Sequence, residues 1–241
     1  MKSAVSAAAD VLVRPVSARS AVIRILIAAD SPTMTSSEIC AATTAVGYPE
    51  ATVRVAVSRM VASGELARDD RGYTLDPVLR ARRTELAAPP DHPWDGDWEQ
   101  VVITAAGRPS AERSALRTRL MSLRLAELRE GVWLRPANLV REIPADLADI
   151  TLHFRVRPVE EPADLAAALW PLAEWSARAE ALLDAIESPD PAARFAAVSA
   201  ALDLLTTDPA LPGVLQPEGW PVAALRDKTS AYLTWLRRLG G

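Results

Sequence analysis

Between Ser17 and Leu75 helix starts and stops follow one another so closely that the chain there can form only short helices followed by something extended. Ser17 stands ahead of Ala21, Val22, Ile25, Leu26 and Ala29, an apolar set at helical spacing that ends before Asp30-Ser31-Pro32. Thr35 and Glu38 have the spacing of a capping box, in which hydroxyl and carboxylate each satisfy a free backbone amide, and Gly47 supplies a left-handed stop. A second helix is therefore predicted over 36–46. Pro49 suits a first helical position, so a third helix runs to Ser63 and closes at Gly64. Leu66-Ala67-Arg68 and Tyr73-Thr74-Leu75 then read as short strands around the turn-forming Asp69-Asp70-Arg71-Gly72.

Three helices, a short second turn and a β-hairpin make a winged helix-turn-helix, whose third helix is built to lie in a DNA major groove. At 100° per residue, Val53, Ala56, Val57, Met60 and Val61 share one side of that helix. Ala51, Thr52, Arg54, Val55, Ser58 and Arg59 take the flank and far side. This free face combines small residues, hydroxyls and two arginines able to grip guanine or phosphate in bidentate fashion. Thr52, Arg54, Ser58 and Arg59 are thus the candidate DNA contacts, with Arg68 and Arg71 of the wing placed to hold the adjacent backbone. Arg54 and Arg59 could instead be solvated charges on an ordinary amphipathic helix; the capped helix before them and the hairpin after them favour the DNA-reading role.

A chain of 241 residues suits two or three compact units. Leu86 to Pro93, rich in proline, reads as a linker, and Arg157 to Pro162 as a softer break. The expected division is 1–86 for the DNA-binding domain, 94–158 for an α+β domain and 162–241 for a helical C-terminal domain. The net charge of -4 looks wrong for a DNA binder until it is divided along the chain. Residues 1–83 hold 11 Lys/Arg against 8 Asp/Glu, and residues 84–241 hold 16 against 23. Phosphate attraction is local, because screening acts over about 10 Å, so a basic module can work beside an acidic body. A single cysteine, Cys40, precludes an intramolecular disulfide and fits a reducing compartment. Asp10 interrupts any signal-peptide core, and the longest apolar run, Ala21 to Ala29, is too short to span a bilayer. A cytoplasmic protein without cofactor or metal is expected.

Three blocks resemble the PaaX family of bacterial transcriptional repressors: Ala51 to Leu66 running into Arg71 to Leu75; Pro93 to Trp98 followed by Gly131 to Pro136; and Asp208 to Pro221. The resemblance implies a homodimeric repressor with a ferredoxin-like middle domain and an all-helical C-terminal domain, an α+β multidomain protein overall. It also implies release from double-stranded operator DNA by an acyl-CoA or aryl-CoA thioester. The residue pattern agrees, with strands expected at Glu99 to Thr104, Gly131 to Arg135 and Ile150 to Val156 and a helix at Pro109 to Arg124. Helices are expected near 163–187, 190–206 and 222–239. The chain departs from the family in having Ile25, Ile27, Ala179 and Leu182 where aromatics are usual, which would suit an aliphatic acyl chain as well as an aryl ring.

Neither His92 nor His153 has a partner at metal-ligand spacing, and Cys40 reads as a small buried residue. Arg113, Arg117, Arg119, Arg124 and Arg129 read as a solvated helix face, or more sharply as a dock for the phosphates of a CoA-type effector. Seven tryptophans suggest packing at domain junctions, and Asp95, Asp97 and Glu99 a solvated turn. Two other functions compete. A ferredoxin-like-fold nuclease would want acidic residues closing the first strand of the middle domain, and Thr104-Ala-Ala-Gly107 supplies none. A ligand-independent DNA-binding or interaction module would lack an effector response.

Overall fold

The computed structural model describes residues 14–81 and 91–239, apart from 106 and 108. The architecture is α+β and multidomain, in two compact units. One takes the chain up to Leu86 together with Ala177–Leu205 and the chain from Pro221 on; the other takes Ala87–Ser176 and Thr206–Trp220.

The first unit opens with α1 (Ala18–Ala28), β1 (Thr33–Met34), α2 (Ser36–Ala45), α3 (Glu50–Ala62), β2 (Leu66–Asp69), β3 (Gly72–Leu75) and α4 (Pro77–Ala81). The local reasons are those of the sequence. Ser17 caps α1 by accepting from the Ser20 amide, and at α2 the Thr35–Glu38 capping box forms in both directions. Pro49 is the cap of α3 and not its first helical residue. Thr33–Met34 is an addition to the expected hairpin. It pairs with β3 to give an antiparallel sheet of order β1-β3-β2, with the Thr33 and Thr74 hydroxyls 2.9 Å apart.

Later elements complete this unit: the C-terminal part of α8 (Leu172–Ala185), then α9 (Pro191–Leu205) and α10 (Val222–Arg237). Phe195 of α9 and Leu236 of α10 are buried in the same core as Val22, Ile25, Val53 and Met60. Tyr48 meets Phe195 edge-on at 6.0 Å, and Arg24 of α1 grips both carboxylate oxygens of Asp203 at 2.9 and 3.0 Å. Gly47, at φ +91, lies so close to the start of α9 that an added Cβ would sit 2.9 Å from the Ala192 Cβ.

The second unit is built on β4 (Trp98–Ile103), α5 (Ser110–Ser122), β5 (Ala126–Arg129), β6 (Val132–Pro136), α6 (Ala145–Ala148) and β7 (Thr151–Val156). The sheet order is β5-β6-β4-β7, antiparallel throughout. One face packs Val101 and Trp133 against Leu116 and Leu120 of α5 and Leu147 of α6. The other packs Trp98 and Leu134 against Ala166 of α7 (Pro162–Leu169), Leu172 and Leu211. The proline-rich stretch after Leu86 lies outside the described residues except at its end, where His92 donates to the Asn138 carbonyl.

The stretch 162–241, expected as one helical body, has only helical regular elements but is shared between the two units. The expected helix over 163–187 is two helices, α7 and α8, because Trp170 is forced extended (φ -126, ψ 140) ahead of Pro171. A buried arginine explains where 206–220 goes. Arg135 donates to Pro136 O, Arg124 O and Asn138 Oδ1 at 2.9, 3.2 and 2.8 Å, and Asn138 donates on to Ala210 O at 3.1 Å. Arg124, at φ +62, donates to the Thr206 and Asp208 carbonyls. Those arginines tie the segment beneath the sheet.

Four of the seven tryptophans pair with one another. Trp94 meets Trp98 edge-on at 6.3 Å and Trp175 stacks on Trp220 at 4.5 Å, all within the second unit. Among the described residues no group of three or more His, Cys, Asp or Glu could hold a metal, and no helix is long and apolar enough to cross a membrane.

Candidate nucleic-acid interface

The α3 helix divides as its spacing requires. Val53, Val57 and Met60 are buried in the core, while Ala51, Thr52, Arg54, Val55, Ser58 and Arg59 are exposed. Val55 is 51% exposed, an apolar side chain left uncovered in the middle of the polar face. Small and β-branched residues here let the helix axis approach another surface closely.

Five of the six candidate residues fall on two flanks. Thr52 and Arg59, with Val55, line a hollow of about 740 Å³ that continues to Ser17 and Arg19 at the start of α1. Arg54, Ser58 and Arg68 line a smaller one of about 210 Å³ beside Ser36, Cys40 and Tyr73. Arg71 lies apart from both, at the hairpin tip. There Asp69 Oδ1 accepts from the amides of Arg71 and Gly72 at 2.9 and 3.1 Å, which closes the turn.

The arginines differ in how they are held. Arg54 is ion-paired with Glu50 one turn earlier, both exposed. Such a pair is easily exchanged for phosphate, because water already screens it. The Arg68 guanidinium lies 5.6 Å from the ring centre of its cross-strand partner Tyr73, which stiffens the wing. Arg59 and Arg71 have no ion-pair partner among the described residues. Sequence reasoning missed Glu50, although its place four residues before Arg54 carried the signal. It also missed Arg19, whose hydrogen bond holds the Glu65 carboxyl below its usual range; the two are too far apart in the chain for any local signal.

The readings outside this face also resolve. Cys40 is buried. His153 is a half-buried strand residue bonded to Thr151. Asp97 pairs with Arg157 and Glu99 with Arg141, so these carboxylates belong to ion pairs and are not merely solvated. Of the arginines around α5, Arg117 pairs with Glu127 and lies over Trp133, Arg119 reaches Asp146 at 4.0 Å, and Arg124 holds the Thr206 and Asp208 carbonyls.

Two family models match the chain: one described as PaaX-like protein over residues 17–76, the other as the PaaX protein central Cas2-like domain over 91–163. The chain belongs to the PaaX family. The first match spans the helices and hairpin that carry the exposed α3 face; the second covers the four-stranded sheet. Among solved structures, the uncharacterized protein Rv0674 from Mycobacterium tuberculosis is 37% identical, with a TM-score of 0.81 over 92% of this chain and 97% of that one. No curated protein matches. As a PaaX-family protein the chain is a transcriptional regulator and not an enzyme.

Proposed function

We propose that this PaaX-family regulator is a cytoplasmic, homodimeric repressor that binds operator DNA through a winged helix-turn-helix. In this reading α1 to α3 with β1 to β3 form that module, and the βαββαβ sheet unit, with strand order β5-β6-β4-β7, is ferredoxin-like. The observation that carries the proposal is the exposed face of α3, bearing Thr52, Arg54, Ser58 and Arg59 opposite a side that buries Val53, Val57 and Met60, and next to a wing bearing Arg68 and Arg71. Thr52, Ser58 and the two helix arginines would read bases or grip phosphates in the major groove; the wing arginines would hold the neighbouring backbone. An acyl-CoA or aryl-CoA thioester would release the complex. Ile25, Ala179 and Leu182 are buried, so the aliphatic departures from the family sit in the core of the unit that carries the reading head.

The test is a mobility-shift titration of the full chain on its own upstream region. Arg59→Ala should weaken binding about tenfold, and Arg71→Ala should weaken it on all sequences while lowering the salt slope by about 1. Unchanged affinity in both variants would refute the assigned face. A panel of aliphatic and aryl CoA thioesters tests release: with no thioester effect, the ligand-independent regulator replaces the effector-controlled one.

A further inference from the structure

From Ala18 to Leu75, Val55 is the only large apolar side chain left exposed. At about 100° per residue it stands roughly 160° from buried Val53 and Val57, so it occupies the crest of α3, pointing away from the core. Ala51 and Arg59 lie about 40° to either side of it, and Ser58 and Thr52 about 60°. Valine is a poorer helix former than alanine or arginine, so neither packing nor propensity accounts for it at this position. Its place is explained by something that comes to the helix from outside.

The charge around Val55 says what comes. The hollows on the two flanks of α3 are lined by Arg19, Arg54, Arg59 and Arg68 and by one carboxylate, Glu65, which is already paired with Arg19. Such a surround favours a polyanion. On double-stranded DNA an apolar side chain at the crest of a helix meets the floor of the major groove. Base edges there present hydrogen-bond donors and acceptors, and one apolar group, the C5-methyl of thymine. A valine pressed on a donor or acceptor strips it of water without replacing the bond. Against the methyl, both partners leave water at no such cost.

We propose that Val55 is the thymine-reading residue of α3, its methyl groups packing on the C5-methyl of a thymine in the operator. This rests on the DNA-binding role proposed above and names a base that the helix selects. Ala51, one turn earlier, lets the helix come close enough for so short a side chain to touch a base edge. The longer Arg54 and Arg59 reach past it to guanines or phosphates.

Double-stranded oligonucleotides that the full chain retains from a random pool supply the site, and uracil in place of thymine removes the methyl and nothing else. In mobility-shift titrations, that replacement at one or more thymines of the site should weaken binding about fourfold. Val55→Ala should bind the thymine site about as weakly as the wild type binds the uracil site, and should not distinguish the two. Because Val55 is uncovered and alanine is the stronger helix former, the variant should melt no lower than the wild type. A retained site without a uracil-sensitive thymine, a sensitivity that Val55→Ala keeps, a lower melt, or a change of sedimentation in place of affinity would overturn the inference and leave the regulator standing. A pool from which no sequence is retained would instead overturn the DNA-binding role itself.

Discussion

Arg135 is fully buried, and its hydrogen-bond partners are carbonyl oxygens and the Asn138 amide oxygen. Burial pushes its guanidinium down to about 9, which still leaves it charged at neutral pH. The charge is tolerated because its donors meet fixed acceptors, and Asn138 relays the tie to Ala210. Asn138→Ala should cost about 1–3 kcal/mol in chemical denaturation, since it leaves the buried Nη2 of Arg135 only a long 3.4 Å bond to the Ala210 carbonyl. Retention of full stability would mean that Arg135 is satisfied without the amide. This arrangement was not legible beforehand: Val132–Pro136 reads as an apolar strand with one arginine, and the partner carbonyls lie as far away as Ala210. The polarity of α3 was legible, because it depends only on spacing within a single helix.

Elements behaved according to their length. Helices with caps, glycine stops and several apolar repeats stood within a residue or two of expectation. Thr33–Met34 and Ala126–Arg129 escaped notice because two to four residues are too few to show an alternation. The hairpin depends on a close backbone approach that only glycine permits. Gly72 has φ +139, and a Cβ there would lie 2.4 Å from the Met34 carbonyl oxygen. Gly72→Ala should therefore destabilise the wing by about 1–3 kcal/mol or more. Operator affinity should fall while the sheet unit keeps its hydrogen-exchange protection; an unaltered affinity would show that the wing is dispensable for binding.

At the scale of the molecule, the unit that carries α3 owes part of its core to the far end of the chain. Phe195→Ala should cost about 3–5 kcal/mol in a unit whose exposed α3 face lies more than a hundred positions earlier, and should lower the thermal midpoint of operator binding. If binding survived heating as in the wild type, α9 would be only an accessory. A hint of this partnership was present in α1, where Ile23 and Ile27 join Ala21, Val22, Ile25 and Leu26 to make the helix apolar over more than one face. Its occupant was not nameable. By itself the sequence determined where helices begin and end, which face of α3 stays free and where charge collects, because caps, periodicity and composition act within a few residues. Tertiary structure alone decided that α9 and α10 complete the N-terminal core while 206–220 joins the sheet, because burial matches apolar surfaces and buried donors by shape, regardless of their separation along the chain.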